Sequence, residues 1–458
     1  MPRTTALAVR LLPLVMALAS FDSALADITG ATSAAIGTGS ATLDTPLAEV
    51  VFPGGRQLPL TLGYASSATH RPGDPANLVY TLTDRGPNIH CDASGQLVGV
   101  AEFCRDAQGV DDAGKIFPLP QFTPQIAFIR LGADADGQLT TKTERRIDLK
   151  DANGNPLSGI SNPLTVTDTE NAYDAKGRQL PLDPDGLDPE GLVRLADGSF
   201  WLGEEYGPSL VHVAADGRVL QRLVPANEVA DLKAATYPIS GELPSILSWR
   251  KLNRGIESLA LSPDGRTLYF ALQSPLANPD KAAYKTSRNL RLFAAHLNVQ
   301  GDFAGIAHEY LYRLDTPETF FDTASGRGDA GARQSDVKVS EMSMLPDGQL
   351  IVLERIDKTT KLYRIDASAA SDLLGGRYDA LDTRPTLAQL DNPASAGVVP
   401  VTKQRIFDSL TDAPELVSKV EGVAIIDDRH LLLANDNDFG IAGADSVFTV
   451  LPLPRASQ

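Results

Sequence analysis

Four glutamates stand at the head of apolar runs with the composition of buried strands: Glu190 in DPEGLVRL, Glu257 in GIESLALS, Glu341 in VSEMSMLP and Glu421 in KVEGVAII. A carboxylate at the edge of a buried strand is costly unless a cation or a hydrogen-bond donor meets it. Gathered in one place, such groups form a hard oxygen ligand set of the kind calcium accepts, with its tolerance of irregular geometry. Metal-assisted hydrolysis is the chemistry that a set of this type supports.

The elements that must position these residues are also legible. An Asp-Gly or Asp-Asp turn follows six or seven residues after each glutamate, and a second apolar run such as Phe200-Trp201-Leu202 or Leu431-Leu432-Leu433 follows the turn. The pattern is strand, tight turn, strand. The second runs are continuous rather than alternating, which suits strands covered on both faces. The glutamates recur at intervals of about 70 to 85 residues, longer than the ~40 to 45 of a compact propeller blade, so long loops are expected between four-stranded blades. An earlier hairpin, residues 58–88, lacks the glutamate and ends in TDRGPN, with residues 124–149 as its outer pair. The expected fold is all-β, a β-propeller of about six four-stranded blades of which five can be counted. Ring closure is expected from residues 47–52 pairing with 446–453, which would protect the sheet edges. Residues 151–186, rich in Pro, Gly, Asn and Asp, read as an elaborated loop, and any helices should be short, for example near 225–235.

If each glutamate opens a strand that runs to the turn, the end of the returning strand lies beside it. Those ends are polar: Glu204-Glu205-Tyr206, Gln273-Ser274, Glu354-Arg355 and Asn435-Asp436-Asn437-Asp438, joined by Thr83-Asp84-Arg85. One acidic mouth is therefore expected, interrupted by Arg85, Arg254, Arg355 and Lys419. Carboxylates so gathered cannot all stay ionised without a counter-charge. Calcium is the expected cofactor, with Glu190, Glu257, Glu341, Glu421 and Asp436 as its ligands. The alternative is that each glutamate satisfies backbone N–H groups of a neighbouring blade.

Composition narrows the setting. The formal charge of −17, with 58 acidic against 41 basic residues, argues against nucleic-acid binding. Arg3 and Arg10, an apolar stretch and Ala24-Leu25-Ala26 before Asp27 form a secretory signal pattern, so 1–26 is expected to be removed and 27–458 to form one exported domain, periplasmic or extracellular. No later run has the roughly 18 apolar residues that membrane insertion would need. The two cysteines, Cys91 and Cys104, lie close in sequence and read as one local disulfide. There is no G-x-S-x-G elbow, no H-E-x-x-H and no P-loop, and the six histidines lack ligand spacing. GADADGQ (132–138) reads as a hairpin turn rather than a calcium loop, and the RGD at Arg327 to Asp329 as chance.

Taken in order, TDRGPN, DPEGL, WLGEEYGP, NRGIESLALSPDG, EMSMLPDGQLIVLERID and KVEGVAIIDDRHLLLANDNDFG resemble the phytase-like β-propeller domain, labelled as esterase-like activity of phytase, from about residue 45 to 453. The resemblance implies an exported propeller and calcium-assisted hydrolysis of phosphate esters, but brings no established catalytic set. On that reading Glu257, Glu421 and Asp84 are the carboxylates expected in catalysis, while Arg85, Arg254, Arg355 and Lys419 hold the substrate, arginine through bidentate hydrogen bonds and lysine as a point charge. The expected partner is a small ester or phosphate ester, handled by a monomer. Two other readings stay open: a metal-dependent lactonase or carboxyl-esterase propeller, and a non-catalytic calcium-stabilised binding protein of the cell envelope.

Overall fold

Asp-Gly turns fold the sequence into hairpins, and the hairpins grow into sheets. In the computed structural model, which describes residues 35–454, Asp197 accepts a hydrogen bond from Ser199 N at 2.9 Å while Gly198 takes the left-handed φ of +92° that closes the turn. The expected export segment, 1–26, lies outside the described residues.

The described chain is all-β, with five antiparallel sheets that share one plan. The first holds Ser67–Thr69, Leu78–Leu82, Gln125–Ala133 and Leu139–Asp148, and the second Pro189–Arg194, Phe200–Glu204, Ser209–Val213 and Val219–Pro225, with Ile239–Leu243 added in parallel. The third runs through Ile256–Leu261, Thr267–Leu272, Asn289–Leu297 and Phe303–Arg313, the fourth through Lys338–Met344, Leu350–Arg355, Thr360–Asp366 and Thr402–Asp408. The fifth is Val420–Ile425, His430–Asn435 and Val447–Pro452, completed by Gly39–Thr42 from the other end of the chain.

Five apolar cores lie between successive sheets. Leu82 and Ile126 meet Leu192 and Val211; Trp201 meets Phe270 and Phe293; Leu292 meets Val352; Leu353 and Phe407 meet Val423 and Leu433; Ala434 and Phe448 meet Val79 and Ile129 of the first sheet. Each sheet is thus covered on both faces, which is why its middle strands read as unbroken apolar runs. The first strands also touch in cyclic order, the fifth against the first. Gly191 allows one such approach, since a β-carbon there would stand 3.0 Å from the Leu259 side chain.

Three expectations change. Closure uses Gly39–Thr42, with Ser40 Oγ 2.9 Å from Thr449 Oγ1. Residues 47–52 turn instead into a hairpin, Pro46–Val51 with Gln57–Thr61, because Val50, Phe52, Leu58 and Leu60 are buried against the Cys91–Cys104 disulfide. A sixth sheet on the same plan is absent among the described residues. The remaining four-stranded sheet is a small mixed one in which Ala172–Asp174 and Gln179–Leu180, from the expected loop 151–186, join Lys115–Phe117 and Ile89–His90. The expected helix near 225–235 is a chain of turns, Glu228 N to Pro225 O and Asp231 N to Glu228 O. The expected hairpin turn at 132–138 is present, with Asp134 accepting from Asp136 N and Gln138 N. Asp329 of the RGD is buried and accepts from Lys358 N, so that tripeptide is part of the packing.

The turns at 225–235 bury Glu228 completely, and neither of its carboxyl oxygens has a hydrogen-bond partner among the described residues. Burial raises its pKa to about 7, against the pull of Arg250 and Arg222. A folded-state value above the unfolded one gives stability that is whole below about pH 4.5 and lost as pH rises through about 7. Glu228→Gln should therefore match wild type near pH 4.5 and be more stable by ~2–4 kcal/mol above pH 8, read as thermal unfolding across that range.

Candidate functional site

The first strand of four sheets carries a β-bulge at the end away from the turns. Pro189 pairs with Glu204 and Gly191 with Gly203, leaving Glu190 unpaired, and the same break leaves Glu257 and Glu421 unpaired in the third and fifth sheets. In the fourth sheet Val339 pairs with Glu354 and Glu341 with Leu353, so the bulged residue is Ser340. A bulge re-aims its side chain, commonly next to functional sites. Glu341, one residue on, points elsewhere: its carboxylate accepts from Ser67 Oγ, from Ala68 N at 3.3 Å, Leu259 N at 3.4 Å and Met342 N at 3.0 Å. It ties the first, third and fourth sheets together, the role of a buried acceptor rather than that of a calcium ligand.

Two residues before each bulge, and directly across from it, sit the remaining mouth residues: Asp188 with Glu205, Gly255 with Gln273, Lys338 with Arg355, and Lys419 with Asp436. Asp84 joins them from just beyond Leu78–Leu82, capping its own turn through Gly86 N at 2.8 Å. Acid thus gathers at the first and second sheets, and base at the fourth and fifth. Arg355 donates to Ser340 Oγ at 2.9 Å, to Ile356 O and to the Glu421 carboxylate. Lys419 bridges Asp436, at 3.0 Å, and Asp438. Arg254 stands 3.6 Å from Glu205 at the partly exposed rim.

Arg85 does not face the mouth as a free clamp. It is buried, and donates to Gly159 O at 3.1 Å, Glu170 at 3.0 Å, Asn253 at 3.3 Å and Ser161 Oγ at 2.8 Å, between the rings of Phe117 and Tyr206. Through these contacts it pins segment 151–186 to the first sheet and lies 3.4 Å from Asp188. Glu204 and Glu354 also turn from the axis, Glu204 to Arg222 at 2.8 Å and Glu354 to Lys403.

Among the described residues Asp84, Asp188 and Glu190 stand together, each offering an oxygen within 4.8 Å of the others. Asp188 and Glu190 are buried, and Asp188 Oδ2 has no hydrogen-bond partner among the described residues. Burial raises all three above the ordinary carboxylate range, reinforced for Asp84 by Asp436 and Asp188 and for Glu190 by Glu257 and Asp188. For Asp188 the neighbouring Arg85 and Lys115 oppose the rise. An all-oxygen trio fits a hard divalent cation. Glu190 alone of the five expected ligands belongs to it, and Asp188 is an addition. Glu257 and Glu205 are raised by burial, while burial and the facing Arg254 and Arg355 push the Lys338 ammonium well below its usual value. Burial would also raise Asp436, but Lys419 outweighs it. A cavity of about 790 Å³ opens at the turn end over Val193, Leu259, Met342 and Ile425, away from this trio.

The phytase-like family described as esterase-like activity of phytase matches residues 63–439. This chain belongs to that family. The phytase-like chain is also 31% identical over 196 residues to an uncharacterized secreted protein of Arthroderma benhamiae, a match covering 40% of this chain and 35% of the relative, so the chain spans about a third of the length of the curated relative it matches. Among solved structures it is similar to regucalcin, a calcium-binding protein of Agrobacterium tumefaciens (14% identity, 89% and 97% of the two chains, TM-score 0.33). A periplasmic gluconolactonase of Pseudomonas aeruginosa gives 14% identity, 86% and 90% of the chains and a TM-score of 0.30. Superpositions that loose carry no argument about the mouth.

Because Arg85 balances two buried carboxylates, Arg85→Ala should cost ~3–5 kcal/mol in urea unfolding, the range for breaking a buried ion pair from one side. A residue that only clamped substrate would leave stability unchanged and raise KM.

Proposed function

We propose that the chain is an exported five-bladed β-propeller that binds calcium at Asp84, Asp188 and Glu190 and hydrolyses an ester, a phosphate ester first among candidates. The five sheets on one plan, packed in cyclic contact, support the propeller, and the disulfide suits an oxidising compartment. The observation that carries the reading is the oxygen trio within 4.8 Å. Bound there, calcium would polarise the ester oxygen and make a bound water more acidic.

The surrounding residues divide the remaining work. Glu257 bears on Glu190, and burial raises its pKa, so its ionised form is a stronger base towards an attacking water than an ordinary carboxylate. Arg254 and Lys419, at the rim, meet the anionic part of the substrate. Glu421 holds the Arg355 guanidinium in place, and Asp436 does the same for Lys419. With Arg85 and Arg355 engaged inside the protein, the positive charge at the rim is modest. That favours a singly charged ester over a polyphosphate and supports a second reading, a lactone or carboxylic ester.

The test is hydrolysis of phytate, p-nitrophenyl phosphate, p-nitrophenyl acetate and δ-gluconolactone, with calcium and again with chelator. Turnover should require calcium, and Asp188→Asn and Glu190→Gln should lose both turnover and the calcium-induced rise in Tm. Glu341→Ala should be destabilised by on the order of 3 kcal/mol through the donors it leaves unpaired, yet keep its calcium response. Equal rates with and without chelator on every substrate would refute a metal-dependent hydrolase.

A further inference from the structure

The face opposite the mouth is hollow. The cavity of about 790 Å³ there falls within the size range of small-molecule pockets, roughly 300–1,000 Å³, and all five sheets contribute to it, through Thr69, Val193, Leu259, Met342 and Ile425. Much of its lining is apolar, the half-buried Leu261 and Met344 included. Met342 and Met344 are the only methionines beyond residue 26, and both line this one cavity. Methionine is flexible and polarisable, and proteins use it on surfaces that adapt to a ligand. Val299, at 71% the most exposed large hydrophobic side chain of the described residues, also belongs to the lining. An exposed apolar residue continuous with an apolar cavity marks a place for binding.

We propose that this cavity binds a small amphiphilic cation, an apolar ring or chain that carries one ammonium group. Charge selects the class. Asp197, Asp264, Asp427 and Asp428 border the cavity, all from turns that follow first strands. Asp197 and Asp264 commit Oδ1 to their own turns, accepting from Ser199 N at 2.9 Å and Arg266 N at 3.1 Å, and Oδ2 of each is left free among the described residues. Burial would raise Asp197 and Asp427, but hydrogen bonds from Ser199 and from His430 outweigh it, and Ser262 lowers Asp264, so all three are ionised at neutral pH. Of the three arginines in the lining, Arg71 and Arg194 both turn to Asp74, at 3.1 Å and 2.5 Å. Arg266 is then the one lining arginine without a carboxylate partner among the described residues. Arg429 lies 3.6 Å from Asp428, but both are largely exposed, and pairs of that kind are weak. Acid thus outnumbers free base around the apolar lining. An anionic amphiphile would meet these carboxylates, and the −17 charge of the whole chain repels it further.

This site goes beyond the proposed function and does not rest on it. The first strands run from one face to the other: Glu190 of the trio opens Pro189–Arg194, while Val193 near its end lines the cavity. Binding at the turn end can therefore be measured without any turnover at the mouth.

N-phenyl-1-naphthylamine, an uncharged dye that brightens in apolar surroundings, provides the test. The dye should bind the folded protein saturably, and decyltrimethylammonium, decanol and decyl sulfate, each below its micellar concentration, should compete with it. The cation should compete at about tenfold lower concentration than the sulfate, with the alcohol between them, and added salt should narrow the gap. Asp264→Asn combined with Asp428→Asn should remove the preference for the cation. Met344→Arg, checked for wild-type folding by its near-UV spectrum, should abolish dye binding. If it does not fold, Val299→Arg at its exposed position decides instead, and should weaken competition by the cation about tenfold while leaving decanol unchanged. No saturable dye binding by folded wild-type protein, or unchanged binding in the folded variant, would overturn the site. Decanol or decyl sulfate competing as strongly as the cation would overturn the charge assignment.

Discussion

A carboxylate removed from water costs several kcal/mol unless a cation or a set of donors compensates it, and five sheets that converge on one axis oblige this chain to meet that cost repeatedly in a small volume. Three solutions occur, two at the mouth and one in the packing beside it. Glu421 and Asp436 are matched by Arg355 and Lys419. Glu341 is surrounded by donors from three sheets. Asp84, Asp188 and Glu190 have only the committed Arg85 at one edge, and burial makes all three hold their protons more tightly than an ordinary carboxyl group.

The β-bulge sets which solution each residue receives. An extra residue in a strand turns a side chain from the face between sheets to the axis, and the next residue points back into the packing. Glu190, Glu257 and Glu421 fall on the bulge, whereas Ser340 takes that place in the fourth sheet and displaces Glu341 by one. The ring then reads acid, acid, hydroxyl, acid at the bulge, and the position two residues earlier reads Asp188, Gly255, Lys338, Lys419. An asymmetric charge pattern has been written onto a repeating backbone, and this separates an acidic side from one where acid and base are paired.

Much of this was legible in the sequence. Asp-Gly or Asp-Asp turns between continuous apolar runs marked four of the five sheets, because turn chemistry and two-sided burial act on neighbouring residues. The polar ends at Asp84, Glu205 and Asp436 followed from strand pairing alone. The offset in the fourth sheet was hidden, since a glutamate at 341 looks like its three counterparts; counting seven residues back from each turn aspartate, 197, 264, 347 and 428, reaches 190, 257, 340 and 421 and exposes Ser340. Lys338 and Asp188 could have been found by the same count. The partner of Arg85 could not, because Glu170 and Ser161 sit in a segment with no periodic pattern and meet it only through tertiary packing. Ring closure was misplaced for a related reason: residues 47–52 read as a short strand, and only the apolar surface around the disulfide draws them away and leaves closure to 39–42.

The pairing of Gly39–Thr42 with Val447–Pro452 joins segments some four hundred residues apart, the most distant contact a sheet of this chain makes. Contacts of such separation are slow to form, since a long stretch of chain must be organised before they bring any reward. The other four sheets are built from segments near one another in sequence and can assemble as independent hairpins. The fifth waits until both ends have arrived, and until then Val447–Pro452 offers a bare strand edge to any other chain nearby. The vulnerable moment in the life of this protein is therefore the interval between making its last strand and finding its first.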